Sequence, residues 1–325
     1  MALSKIKGLQ IKGLITVMPS NTEDNQSLQL ITEEDIAQII KHTGIRYRRV
    51  TQPDTNIKNY FNTGVSKLLN KLKWKADEID VLICVTQSPQ TSIPAISCQI
   101  HGDLGLSQST ICFDINLGCS GYVYGLHTIG HILAGIAKKN PKAILCCGDL
   151  SSLLIDKNDR TTVPIFSDAV SVTGIELDAD FAEAFFNLET AGTGQDAIRT
   201  VNNVMKLNGI DVFNYSLKLV PKNVQTLLAS CDIDAASVDG FIFHQANKLI
   251  NDAIGKRLNI PESKQPSTLY KYGNTASASI PLTLGHFAGE NKCNQVVLCG
   301  FGVGFSVASA LVCMPSTFIF ENVEI

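Results

Sequence analysis

Short apolar runs recur along this chain, separated by longer stretches with helical spacing. The clearest are Val81–Thr86 (VLICVT), Ala143–Cys147 (AILCC), Phe241–Phe243 (FIF) and Gln295–Cys299 (QVVLC). A sheet with one wet face alternates apolar and polar residues along each strand. These runs do not, so they predict strands covered on both faces. Alternating with helices, they specify an α/β layered fold. The 325 residues are 45% hydrophobic and 18% charged, enough apolar length to bury such layers without metal or disulfide staples. The same composition excludes a disordered chain or a coiled coil.

A weak internal repeat narrows the fold further. Ile79-Asp80-Val81-Leu82-Ile83 resembles Val238-Asp239-Gly240-Phe241-Ile242, and each run leads into a glutamine, Gln87 and Gln245. The next strands, starting near Ala143 and Gln295, repeat at a similar spacing of about 150–160 residues. Two similar halves, each contributing a sheet, are expected. The boundary falls near Asp168–Glu176, dividing the chain into residues 1–170 and 171–325.

Several function classes fall away. Net charge is −3, against a broadly basic nucleic-acid surface. The N-terminal stretch lacks the apolar core of a signal peptide, and no run approaches the roughly 18 apolar residues of a membrane span. A soluble, cytoplasmic protein is expected, with no nucleic-acid or membrane partner. The ten cysteines lie mostly inside apolar segments and form no C-x-x-C pair, so neither a metal site nor a dithiol redox site is expected.

Four segments carry residues fit for chemistry. In Asp114-Ile-Asn-Leu-Gly-Cys119-Ser-Gly a strand-like run meets Gly118, and a helical pattern begins at Cys119. A cysteine at a helix N-terminus feels unpaired N–H groups and the positive end of the macrodipole, which favour thiolate. A buried, inert cysteine is the alternative. In Phe243-His244-Gln245-Ala246-Asn247, His244 ends a strand, where α/β folds place ligands; a lone histidine is more often structural. Asn274, in Tyr272-Gly-Asn274-Thr-Ala, either caps the helix that follows or faces a site. Pro281 marks that helix's early turns or a kink. Gly300-Phe-Gly-Val-Gly304-Phe is no dinucleotide loop, because Ser306–Cys313 after it reads as a strand. It predicts a hairpin whose glycines bring backbone N–H groups toward a site. His127 and His131 lack a zincin glutamate and read as ordinary helix residues.

Taken in order, these segments resemble the β-ketoacyl-acyl-carrier-protein synthase III family of the thiolase superfamily, over nearly the whole chain. Thr43-Gly44-Ile45-Arg46, Ile93-Pro94-Ala95, Asp156–Arg160 and Phe166-Ser167-Asp168 add to the likeness. The resemblance implies a thiolase-like duplicated αβαβα layered fold with two pseudo-symmetric halves. It implies Cys119 as the acyl-accepting nucleophile, and His244 with Asn274 as donors to the malonyl thioester oxygen as CO2 leaves. Backbone N–H groups of Cys119 and Gly304 are the matching oxyanion hole. No bound cofactor is implied, since the substrates are thioesters carried on phosphopantetheine. Acyl carrier protein and a homodimer are the implied partners.

The departures from the family pattern are specific. The tryptophan and two arginines that hold the CoA nucleotide are matched here by Gln38, His42 and Leu153, which removes a stacking face and fixed charge. Delivery of the primer on a carrier protein is therefore favoured over acyl-CoA. Ile93 matches a bulky aromatic at the family's dimer interface that limits the primer pocket, so a longer or branched acyl group is expected. Carriers of this kind are acidic and this chain is itself net negative, so a local basic surface is required. Lys248, Lys256 and Arg257 on the helix after His244, with Asn247 toward the pantetheine arm, are the expected contacts. Two other readings remain open. One is non-decarboxylating acyl transfer to an oxygen or nitrogen acceptor, and the other is a noncatalytic partner subunit.

Overall fold

The structure is a computed structural model that describes residues 2–290 and 293–325. Two mixed sheets dominate it. The first runs, in spatial order, Ile319–Glu324, Leu9–Met18, Ala169–Leu177, Lys142–Asp149, Ile79–Val85 and Ile111–Ile115. The second runs Ala2–Lys7, Glu183–Thr190, Ser306–Cys313, Gln295–Gly302 and Gly240–Phe243.

The repeat seen in sequence is a repeat of topology. Leu9–Met18, Ala169–Leu177 and Lys142–Asp149 pair antiparallel in succession, and the last pairs parallel with Ile79–Val85. Glu183–Thr190, Ser306–Cys313, Gln295–Gly302 and Gly240–Phe243 follow the same scheme.

Side-chain alternation explains the unbroken apolar runs. Val81, Ile83 and Val85 face a central core, while Leu82 and Cys84 face an outer one. In the second sheet Val296 and Leu298 face the same central core, and Val297 and Cys299 face the opposite outer layer. Between the sheets lie two helices, Gly121–Ala134 and Ser279–Glu290, contributing Leu126, Ile129, Ile280 and Leu284 to the shared core. Ile57–Leu72 covers the outside of the first sheet through Phe61, Val65 and Leu68, and Gly209–Ser230 covers the second through Val220, Val224 and Leu227. The order of layers is therefore αβαβα. Each fully buried Leu, Ile or Val adds roughly 1.5–3 kcal/mol, so a two-faced strand stabilises the fold about twice over.

The halves are not separable at the expected boundary. A division at 170/171 falls inside Ala169–Leu177, and the chain leaves the first sheet only after Leu177. The termini are also exchanged. Ala2–Lys7 pairs with Glu183–Thr190 in the second sheet, and Ile319–Glu324 pairs with Leu9–Met18 in the first. No helix of the described residues is long and apolar enough to cross a membrane.

Candidate active site

Cys119 is buried, with 8% of its surface exposed. It lies in a turn closed by Gly121 N–H donating to Gly118 O at 2.8 Å, one residue before the cap Ser120. The helix thus begins two residues later than the sequence pattern indicates. The expected thiolate is also overturned. Burial pushes the Cys119 thiol up to about 12, the Asp149 carboxylate adds to the rise, and the residue's own backbone N–H pulls back only in part. A helix end offers about half a charge, less than the cost of desolvating a thiolate here.

The hairpin Gln295–Gly302 with Ser306–Cys313 is present as expected, and its glycines permit close approach. A Cβ on Gly300 would stand 2.6 Å from both Cys119 O and Ser120 Cα, and one on Gly302 would stand 3.4 Å from Cys119 Sγ. Ser306 Oγ donates to Val303 O at 2.7 Å and lies 2.7 Å from Ser120 Oγ, tying the hairpin to the turn that carries Cys119. Gly302 is thus the loop glycine beside the sulfur, while Gly304 has Ser306 as its neighbour.

His244 is buried, its N–H held by Cys299 O at 2.8 Å. Its Nδ1 lies 2.6 Å from Ser279 Oγ, which itself accepts Gln245 N–H at 3.3 Å. A serine hydroxyl that donates to Nδ1 leaves the ring proton on Nε2, and Ser279 is placed to do so. Burial lowers the imidazole to about 3, against a smaller opposing contact with the Ala276 backbone, so the ring is neutral near pH 7. Asn274 Oδ1 accepts Ala276 N–H at 3.0 Å, and Nδ2 donates to Ala246 O at 3.3 Å. That local bond holds Ala276 at φ 47°, a left-handed conformation unusual outside glycine. Capping and site-facing roles therefore coexist in Asn274, and one Nδ2 proton remains available.

Asp149 was not singled out from sequence. It ends the AILCC strand fully buried, accepting Gln87 N–H at 2.6 Å, Thr86 Oγ1–H at 3.2 Å and Ser277 Oγ–H at 2.8 Å. It ties the end of a first-sheet strand to the segment carrying Asn274. A carboxylate directly after a buried apolar strand was the available signal.

Cys119, His244, Asn274 and Asn247 all line one cavity of about 630 Å³, walled largely by apolar side chains. Among the described residues no group of three or more His, Cys, Asp or Glu is placed to hold a metal ion. The C-terminal model of 3-oxoacyl-acyl-carrier-protein synthase III matches residues 228–314, and the other model of the same family matches residues 113–193. A β-ketoacyl-acyl-carrier-protein synthase III of Synechocystis is 30% identical, over 94% of this chain and 98% of its own length. A 3-oxoacyl-acyl-carrier-protein synthase from Burkholderia xenovorans superposes with TM-score 0.94 at 30% identity, covering 100% of this chain and 99% of its own. The synthase III of Pseudomonas aeruginosa gives 0.87 at 26%, over 95% and 99% of the two chains. This chain belongs to the β-ketoacyl-acyl-carrier-protein synthase III family.

Within this synthase III chain the peripheral expectations fare differently. Ile93 does not line the cavity; it is 85% exposed at the start of Ile96–Leu104, a helix anchored by Asp114 accepting Ile96 and Ser97 N–H groups. The primer-pocket role therefore cannot be played within one chain. Asn247 caps the helix Lys248–Arg257 by accepting Ile250 N–H at 2.9 Å. The three cations on that helix are not equivalent. Lys248 pairs with Asp252 at 2.7 Å, Arg257 donates to Leu217 O at 2.7 Å, and only Lys256 of the three has no such partner among the described residues. Lys248 and Lys256 line a second cavity together with Asp252 and Glu262, so the local basic surface is interrupted by acidic side chains. Gln38 and His42 are exposed, and Leu153 is 38% exposed. His127 Nε2 meets Ser4 Oγ at 2.9 Å, away from this cavity.

The Asp149 carboxyl, raised to about 6 by burial, gives a pH prediction. A folded pKa above the unfolded one means the folded chain holds the proton more tightly. That stability is fully present below about pH 4 and is lost as pH rises through about 6. Buried Asp168, also pushed up to about 6, acts in the same sense. In urea titrations across this window, Asp149→Asn is expected to fall less steeply than wild type, by up to about 3 kcal/mol. An unchanged slope would contradict the buried-carboxyl assignment.

Proposed function

We propose that this chain is an acyltransferase that loads an acyl primer on Cys119 and condenses it with a malonyl group held on acyl carrier protein. The observation that carries this reading is the meeting of Cys119, His244 and Asn274 in one cavity. Cys119 Sγ attacks the primer thioester; the new C–S bond forms as the old one breaks, and the thiol proton passes to the departing pantetheine sulfur. The buried thiol, pushed up to about 12, gives up its proton during this exchange rather than beforehand. Malonyl thioester follows. As CO2 leaves, negative charge grows on the thioester oxygen, where the Nε2–H of neutral His244 and the free Nδ2–H of Asn274 donate. The carbanion then attacks the acyl carbonyl and Cys119 leaves as sulfur anion. Backbone N–H groups of Cys119 and Gly304 are assigned to that second oxyanion.

Intact-mass and CO2-release assays separate the steps. Cys119→Ala is expected to abolish the acyl mass shift, while Cys112→Ala and Cys147→Ala retain it. His244→Ala and Asn274→Ala should still be acylated yet lose malonyl decarboxylation by about 10²–10³ in rate. Acylation that survives in Cys119→Ala, or normal condensation by both other variants, refutes the assignment.

The carrier reading narrows to Lys256, the unpaired cation. Lys256→Glu is expected to raise KM for carrier-bound substrate in a salt-dependent way and leave a small pantetheine thioester unaffected. Equal KM values on the carrier would exclude this residue.

A homodimer is supported by the first sheet's last strand. Ile111–Ile115 pairs only with Ile79–Val85 among the described residues, and Ile111 is 44% exposed despite the strand's apolar sequence. Exposed strand edges invite pairing, and Ile93 lies in the segment just before the helix fastened to this strand. Ile111→Arg is expected to shift the sedimentation coefficient from dimer to monomer; a wild-type monomer would rule the dimer out.

A further inference from the structure

Gln87 and Gln245 follow equivalent strands in the two halves, and the fold uses them differently. Gln245 is buried and fully engaged: Nε2 donates to Phe243 O at 2.8 Å, and Oε1 accepts Ser267 Oγ–H at 3.0 Å and Thr268 N–H at 3.1 Å. Gln87 instead lines the cavity with Cys119. Among the described residues, neither its amide oxygen nor its amide nitrogen has a hydrogen-bond partner.

The position of that amide is set by the fold. Gln87 N–H is fastened to buried Asp149 Oδ1 at 2.6 Å. Its Oε1 lies where a Cβ on Gly118 would come within 2.6 Å, so the missing side chain next to the nucleophile is what makes room for it. The other lining amides are committed to the fold. Asn208 caps Gly209–Ser230, Asn247 caps Lys248–Arg257, and Asn274 bonds at both ends. Gln87 is therefore the lining amide with both ends open, in a largely apolar cavity beside the thiol. An apolar acyl group that fills the cavity strips solvent from this amide without replacing its hydrogen bonds.

We infer that Gln87 selects the primer, and that the acyl group taken by Cys119 carries a hydrogen-bonding oxygen, a hydroxyl or oxo group, close to its thioester end. The inference rests on the acylation of Cys119 proposed above. An unsubstituted chain leaves the amide unpaired on loading; an oxygen substituent pairs with it.

The test compares butyryl-, 3-hydroxybutyryl- and 3-oxobutyryl-pantetheine as acyl donors to the full chain, following the mass of the acyl-enzyme with time. Wild type is expected to load an oxygen-bearing group about ten- to a hundredfold faster than butyryl. Gln87→Leu should bring that ratio to one or below. Gln87→Met, nearer in shape, serves as a second variant, and unchanged melting temperatures confirm folding. Loading of butyryl as fast as or faster than both oxygenated groups, or a preference unaltered in either folded variant, overturns the inference and leaves the Cys119 mechanism standing. Loading by none of the three, or loading that persists in Cys119→Ala, overturns that mechanism and this inference with it.

Discussion

The structure depends on one shared apolar layer. Two sheets bury their inner faces against the same pair of helices, so Val81, Ile83, Val296 and Leu298 contribute to a single core. Neither half can keep that layer dry alone, and the exchanged terminal strands bind the halves further. Because the two central helices lie side by side in this layer, their N-terminal approaches open on one cavity. The nucleophile's turn and the Asn274 segment meet there as a consequence of the duplication.

The fold also sets the protonation states. Dry surroundings lower the His244 imidazole to about 3 and raise the Cys119 thiol to about 12. A neutral imidazole can donate one ring N–H to a growing oxyanion without forming a standing thiolate–imidazolium pair. A neutral thiol is less open to oxidation than a thiolate. Asp149 sits at the junction of these demands. It holds Gln87 and Ser277 in place, and its charge works against early ionisation of Cys119.

Membership of the synthase III family rests on whole-chain likeness, yet the periphery is individual. On the helix after His244 the charge of Lys248 is paired with Asp252 and the Arg257 guanidinium is fastened to the Leu217 carbonyl, and a glutamine amide shares the cavity with Cys119.

Much of this was legible in the sequence for local reasons. Unbroken apolar runs specify strands covered on both faces. A spacing near 160 residues specifies two halves. Gly118, His244 and the Gly300–Gly304 loop mark the places where strands end, and Asn274 follows the short helix Leu269–Tyr272. What the sequence could not show depends on contacts between distant segments. The 170/171 division cuts a strand because Ala169–Leu177 is held by pairing with Leu9–Met18 and Lys142–Asp149, partners distant in sequence. The thiolate expectation at Cys119 failed because desolvation comes from the whole surrounding core, while a helix dipole is local. Lys248 and Arg257 looked free because Asp252's rotamer and Leu217's carbonyl are invisible to residue spacing. Gln87 and Gln245 look alike in sequence; only the packing around each decides that one serves the fold and the other faces the cavity.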